Sequence, residues 1–173
     1  MIATFKPHPE ELLSHRDVVY SLALNMCGYS SEAEEIVLKT FASACEWLPT
    51  ATPKPNLRTW LCGIAANVAL MRAACRLEVA APSRRELEGN ELADLLRAAL
   101  GRLDARVRAV FVLCDLACLT VEETAIVLQA SPREIRVQLH RARLTLREVL
   151  DGFFKRRMGN GGPWLSGSVT MPE

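Results

Sequence analysis

Aromatic side chains make up only 6% of the 173 residues, and no run alternates apolar with polar positions as a half-buried strand would. A sheet therefore has little to build on. No apolar stretch approaches the ~20 residues a membrane-crossing helix needs, and the N-terminus lacks the apolar core of a signal peptide. Six cysteines are present, yet none forms a CxxC pair or sits near a histidine at zinc-ligand spacing. Five of them lie in apolar helical stretches, where a thiol packs as a small hydrophobe. These absences lead us to expect a soluble cytoplasmic protein with reduced thiols, without metal or cofactor. There is no glycine-rich phosphate loop, no carboxylate pair at a plausible pocket and no Ser/His/Asp arrangement. Of the three histidines, His8 lies in a Pro-flanked terminus, His15 on a helix surface and His140 in an arginine string. No enzymatic activity is expected.

Apolar residues form half of the chain, with Ala and Leu dominant, which favours helix. The net charge of +1 conceals an uneven distribution. From Ser131 to Arg157 eight basic residues face three acidic ones, whereas residues 1–130 hold thirteen basic against sixteen acidic. A basic C-terminal segment is a plausible footprint for phosphates.

The periodicity predicts a helix from about Pro9 to Cys27, stopped by Gly28. A second follows, capped by Ser31 with Glu34, its stripe running Ala33, Val37, Phe41, Ala44 and Leu48. Pro49 to Pro55 reads as a stiff loop. Asn56 caps a third helix, with Leu57, Leu61, Ile64, Val68, Met71 and Cys75 on one face. The pattern fails between Ala80 and Asn90, a charged linker. Four shorter helices follow: about Glu91 to Leu100, then Asp104 to Leu116, then one starting at Thr120 and one at Ser131. Thr120 with Glu123 and Ser131 with Glu134 are capping boxes, and Pro132 takes the favoured first helical position. The fold class is all-α: two small helical domains, 8–78 and 91–154, joined by a flexible linker at 79–90, with a disordered tail at 155–173.

The segments 120–128 and 131–150 carry the sharpest signal, a helix-turn-helix. Ala125 is small where the two helices cross, Gln129-Ala130-Ser131 form the turn, and Ile135 and Leu139 face inward together. Arg133, Glu134, Arg136, Val137 and Gln138 are then left at the outward N-terminal end of the second helix, the end that enters the major groove. Arginine bonds guanine bidentately and glutamine bonds adenine. Arg141, Arg143 and Arg147 lie further along and suit phosphate contacts. Gln129 stands where the backbone tends to positive φ and glycine is easiest. The alternative for the whole segment is a helical hairpin with a solvated arginine face.

Residues Arg108 to Leu128, then Ile135 to Arg143 with its His140-Arg141-Ala142-Arg143 string, resemble the C-terminal promoter-binding domain of bacterial extracytoplasmic-function (ECF) sigma factors. Earlier segments resemble the same family in order and spacing: His15 to Leu24 its opening helix, Glu32 to Trp47 its polymerase-docking helix, Leu57 to Asn67 its promoter-melting helix. The resemblance covers about residues 10–150 and implies transcription initiation without catalysis. It implies core RNA polymerase, promoter DNA and an anti-sigma factor as partners. Glu34, Glu35, Leu38 and Lys39 match the docking positions. Asn56, Arg58, Asn67, Arg72 and Arg76 are the candidates for the melted promoter element. Ser131, Arg133, Glu134, Arg136, Val137, Gln138, Arg141 and Arg143 are those for the upstream element. Trp60 is read as core packing rather than a base-stacking platform. Leu38-Lys39 stand where the family usually has Gln followed by an acid, Met71, Ala74 and Cys75 where it has an Asp and paired arginines, and Pro132-Arg133-Glu134 where it often has Val-Gly-Thr. These departures point to unusual promoter specificity. Two other readings share part of the pattern: a helix-turn-helix regulator of another class, and a sigma-like decoy that binds an anti-sigma partner.

Overall fold

The computed structural model describes residues 9–47, 56–75 and 91–158, all helices and short turns. The helices are α1 (Pro9–Leu13), α2 (Arg16–Cys27), α3 (Ser30–Trp47), α4 (Leu57–Cys75), α5 (Glu91–Gly101), α6 (Ala105–Phe111), α7 (Val121–Val127) and α8 (Pro132–Met158). The predicted 9–27 helix is in fact two. The chain breaks at Ser14 and His15, where the Ser14 hydroxyl donates to the Glu11 carbonyl at 2.7 Å and competes with the helical ladder. Gly28 ends α2 as expected, at φ 86° with its amide donating to the Leu24 carbonyl at 2.7 Å.

The expected Ser31 cap is corrected by one turn geometry. α3 already begins at Ser30, and the Ala33 amide bonds the Tyr29 carbonyl at 2.9 Å, so Ser31 lies inside the helix. The buried row of α3 is Ala33, Ile36, Thr40 and Ala44, with Val37 and Phe41 packed at its edge. Thr40 is tolerated there because its hydroxyl donates to the Ile36 carbonyl at 2.7 Å. In α4 the Asn56 side chain caps as expected, accepting the Arg58 amide at 3.0 Å. Leu61 through Ala66 are buried without interruption. A helix enclosed on all sides sits between neighbours rather than on a surface, and α4 indeed packs against α2 and α3 on one side and α6 and α7 on the other. Met71 was expected in this interior; it is 71% exposed, on the side of α4 away from the α3 acids that Arg72 meets.

Asp104 caps α6, its carboxylate accepting the Arg106 amide at 2.9 Å. The predicted helix to Leu116 is α-helical only to Phe111. Val112–Leu116 then widen into a π turn, closed by the Ala117 amide on the Val112 carbonyl at 2.8 Å. The tail expected to lose structure at 155 stays helical through Met158; the later residues, like the 79–90 linker and the Pro49–Pro55 loop, lie outside those described.

Solvent does not separate the two halves. One apolar interior runs from Val19, Leu22, Ile36, Leu61 and Ala65 into Val110, Leu113, Ala125 and Ile135. A second, smaller cluster joins α5 to the later part of α8 through Leu100, Leu103, Ala142 and Leu146. At the seam Gly63 of α4 faces Val127 of α7 so closely that a Cβ would lie 3.2 Å from the valine Cγ2. Polar bonds cross it as well: the Thr59 hydroxyl donates to the Glu123 carboxylate at 2.9 Å, and the Arg108 guanidinium donates to the Met26 carbonyl at 2.7 Å.

Candidate nucleic-acid interface

The helix-turn-helix is built by local bonds that the sequence spacing demands. Thr120 and Glu123 form a complete capping box: the Thr120 hydroxyl accepts the Glu123 amide at 3.1 Å, and the Glu123 carboxylate accepts the Thr120 amide at 2.9 Å. The Thr120 bonds and the Thr59 hydroxyl hold the Glu123 carboxyl below its ordinary pKa, against a smaller opposing effect of burial. Gln129 adopts φ 50°, the left-handed turn its position predicted. Ser131 then accepts the Glu134 amide at 3.2 Å and starts α8. The Glu134 carboxylate does not mirror this as a full box would; it takes the Gln138 side-chain amide at 3.0 Å.

Ile135 and Leu139 of α8 are buried with Ala125 and Leu128 of the preceding hairpin arm. The side chains between them face solvent: Ser131, Arg133, Glu134, Arg136, Val137, Arg141 and Arg143 are exposed, and Gln138 is half-buried. The structure thus places seven of the eight upstream-element candidates in solvent on α8 or at its cap, Gln138 being the exception, half-buried with its Oε1 enclosed. It also shows partners that sequence reasoning missed. The Arg136 guanidinium is bonded to Glu122 of α7 at 2.9 Å. Arg143 grips Asp115 of the π turn through Nε at 2.9 Å and Nη2 at 2.6 Å, a two-pronged pair that raises its pKa. Glu122 and Asp115 carried no signal of this beyond standing beside recognised caps and turns.

The N-terminal candidates fall into two groups. Glu34, Leu38 and Lys39 form an exposed strip on α3, with Leu38 76% exposed. Glu35 is exposed as well but accepts from Arg72 at 2.7 Å. Arg72 also meets the buried Glu32 carboxylate at 3.3 Å. Burial works against the Arg72 charge, and these two acids more than offset it, so its pKa is raised. Arg72 therefore ties α4 to α3. Arg58 is half-buried, its Nε enclosed without a hydrogen-bond partner. The nearby Cys62 thiol is pushed up to about 11 by burial, with Arg58 opposing the shift, which leaves it protonated and unreactive at neutral pH. Asn56 and Asn67 are exposed, and Arg76 lies outside the described residues. Trp60 packs against the core as expected.

A helix-turn-helix with an exposed basic second helix, packed through its first helix onto a three-helix bundle, defines a class of DNA-associated proteins with two functional parts. The family model for Sigma-70 region 2 matches residues 12–76, and that for Sigma-70 region 4 matches residues 93–146. The SigE ECF RNA polymerase sigma factor of Mycolicibacterium smegmatis is 29% identical over 160 residues, which are 83% of this chain and 62% of SigE. The chain thus spans less than two thirds of that relative's length. Among solved structures, the sigma factor RpoE in complex with the anti-sigma factor NepR from Bartonella quintana superposes with a TM-score of 0.67 at 24% identity. That match covers 82% of this chain and 95% of RpoE. CnrH in complex with the cytosolic domain of CnrY gives 0.65 at 26% identity, over 83% of this chain and 86% of CnrH. With regions 2 and 4 present in order, the chain belongs to the ECF sigma factors of the sigma-70 family.

Proposed function

We propose that this protein binds core RNA polymerase and directs it to promoters, with no catalytic step of its own and in the cytoplasm. Residues 8–78 form the docking and melting unit and residues 91–154 the unit that reads the upstream element. The observation that carries this reading is the α8 ridge: Arg133, Arg136, Arg141 and Arg143 stand exposed above a buried Ile135 and Leu139, in a chain that also matches region 2. Positive charge along one helix attracts phosphates, and its first turns are the part a major groove admits.

In this mechanism Glu34, Glu35, Leu38 and Lys39 meet the polymerase. Asn56, Arg58, Asn67, Arg72 and Arg76 serve the melted strand. The inward pairing of Arg72 makes it a support for that surface, with Asn56 and Asn67 as its exposed contacts. Ser131, Arg133, Glu134, Arg136, Val137, Gln138, Arg141 and Arg143 read or hold the upstream duplex. An anti-sigma factor is a further expected partner, as for the structural relatives RpoE and CnrH, whose structures contain NepR and CnrY. Transcription from a random promoter library with purified core polymerase tests all of this. Initiation from a recurrent two-element motif is expected; no initiation when this protein is added to core enzyme overturns it.

The exposed Leu38 beside Lys39 favours one second reading, a decoy with a weakened docking strip. Replacing Leu38→Gln and Lys39→Glu together separates the two. A decoy gains polymerase binding, whereas a working sigma factor already binds before the change.

A further inference from the structure

Glu122 and Glu123 are neighbours with opposite employments. Glu123 is turned toward the molecule, shared between the Thr120 cap and Thr59 of α4. Glu122 is turned outward, and its Oε1 accepts from Arg136 Nη2 in the first turns of α8 at 2.9 Å. Both members of this pair are open to solvent, 64% for the Glu122 side chain and 59% for Arg136. Exposed pairs of this kind contribute little to stability, so stability does not account for a carboxylate at this place. On a face meant for a polyanion it also carries a cost, since it repels every phosphate that approaches.

The carboxylate does two things for Arg136. It takes only one of the two Nη2 hydrogens, leaving the other Nη2 hydrogen and its neighbouring donor as a two-pronged edge for the paired acceptors O6 and N7 of a guanine. It also cancels the arginine charge locally, so that Arg136 adds little to sequence-independent phosphate attraction. Arg133 and Arg141, for which the described residues provide no ion pair, keep that task. We propose that Glu122 is a specificity-determining residue that positions Arg136, lowering affinity for any duplex while raising discrimination for the correct upstream element. This rests on the sigma-factor reading above.

The test uses holoenzyme assembled from core polymerase and the full chain, on a selected promoter and on the same promoter with its upstream element scrambled. Glu122→Gln keeps the shape and removes the charge. The expected result is binding to the scrambled duplex tightened ~3–10-fold, with its log-affinity slope against log salt steeper by about one phosphate contact. Discrimination between the two duplexes falls at least ~3-fold, within the range one good bidentate base contact supplies. Glu122→Asp restores most of the discrimination. In an Arg136→Ala background, Glu122→Gln leaves discrimination unchanged. Unaltered discrimination in Glu122→Gln, or an equal drop without Arg136, overturns the proposal. If unmodified holoenzyme fails to prefer the selected promoter, the sigma-factor reading itself falls, and this inference with it.

Discussion

Helices α4 and α8, one from each half of the molecule, use arginine in opposite ways. In the N-terminal half Arg72 is turned onto Glu32 and Glu35, and Arg58 lies half-buried at the start of α4. In the C-terminal half Arg133, Arg136, Arg141, Arg143 and Arg147 all stand in solvent along α8. The residue type is the same; the neighbourhood of the helix differs. α4 is enclosed by α2, α3, α6 and α7, so a cation near it must find an acid or stay cramped. Among the described residues no helix covers the outward side of α8, so its cations stay in solvent, Arg133 and Arg141 without an ion pair and Arg136, Arg143 and Arg147 beside Glu122, Asp115 and Asp151. Charge composition alone therefore does not locate a nucleic-acid surface; the packing of the helix that bears the charge does.

The comparison breaks most sharply at the residue beneath the ridge. Ile135→Ala empties a fully buried site shared by both halves, and a loss of about 2–5 kcal/mol in urea unfolding is expected. Arg133→Ala, two residues away and exposed, should change stability by less than about 0.5 kcal/mol. At the seam, Gly63→Val drives a branched side chain into Val127, with an expected cost of roughly 1–3 kcal/mol. An unchanged midpoint would show that the halves do not stay packed together in solution. Arg72→Ala leaves the buried Glu32 without its cation and should cost about 1–3 kcal/mol, whereas Arg141→Ala should spare stability and weaken promoter binding instead. Equal stability effects for the two would erase the contrast drawn above.

Smaller effects sharpen it. Glu123 has a lowered pKa in the folded chain, so it releases its proton more readily there than when unfolded. Its stabilising contribution is therefore present above the unfolded value of about 4.3 and is lost as pH falls through the lower folded value. Glu123→Gln should flatten the acid limb of the stability profile in that window; an unchanged limb would remove Glu123 as the group linking cap and seam. Gln129→Gly relieves a left-handed backbone at φ 50° and should add up to about 1 kcal/mol, read as a raised melting temperature.

Much of the fold was legible because it rests on short-range rules. Asn56, Asp104, Thr120 and Ser131 cap the helices that follow them, and Gly28 stops α2, since these bonds join residues two to four apart. Ile135 and Leu139 were recognisable as inward by the helical repeat. Other features left no such trace. The π turn after Phe111 interrupts a helical stripe that the spacing carries on to Leu116. Met71 continued an apolar stripe by spacing, yet its side chain is exposed.

Helix type, helix ends and the family pattern were thus written locally, because backbone hydrogen bonds close within a single turn. Contacts such as Thr59 with Glu123, Gly63 with Val127, Arg72 with Glu32 and Arg136 with Glu122 join different helices. No spacing rule encodes such pairs. They exist only once apolar burial has brought distant helices together, and that same burial chose which arginines stay in the interior and which ones meet water.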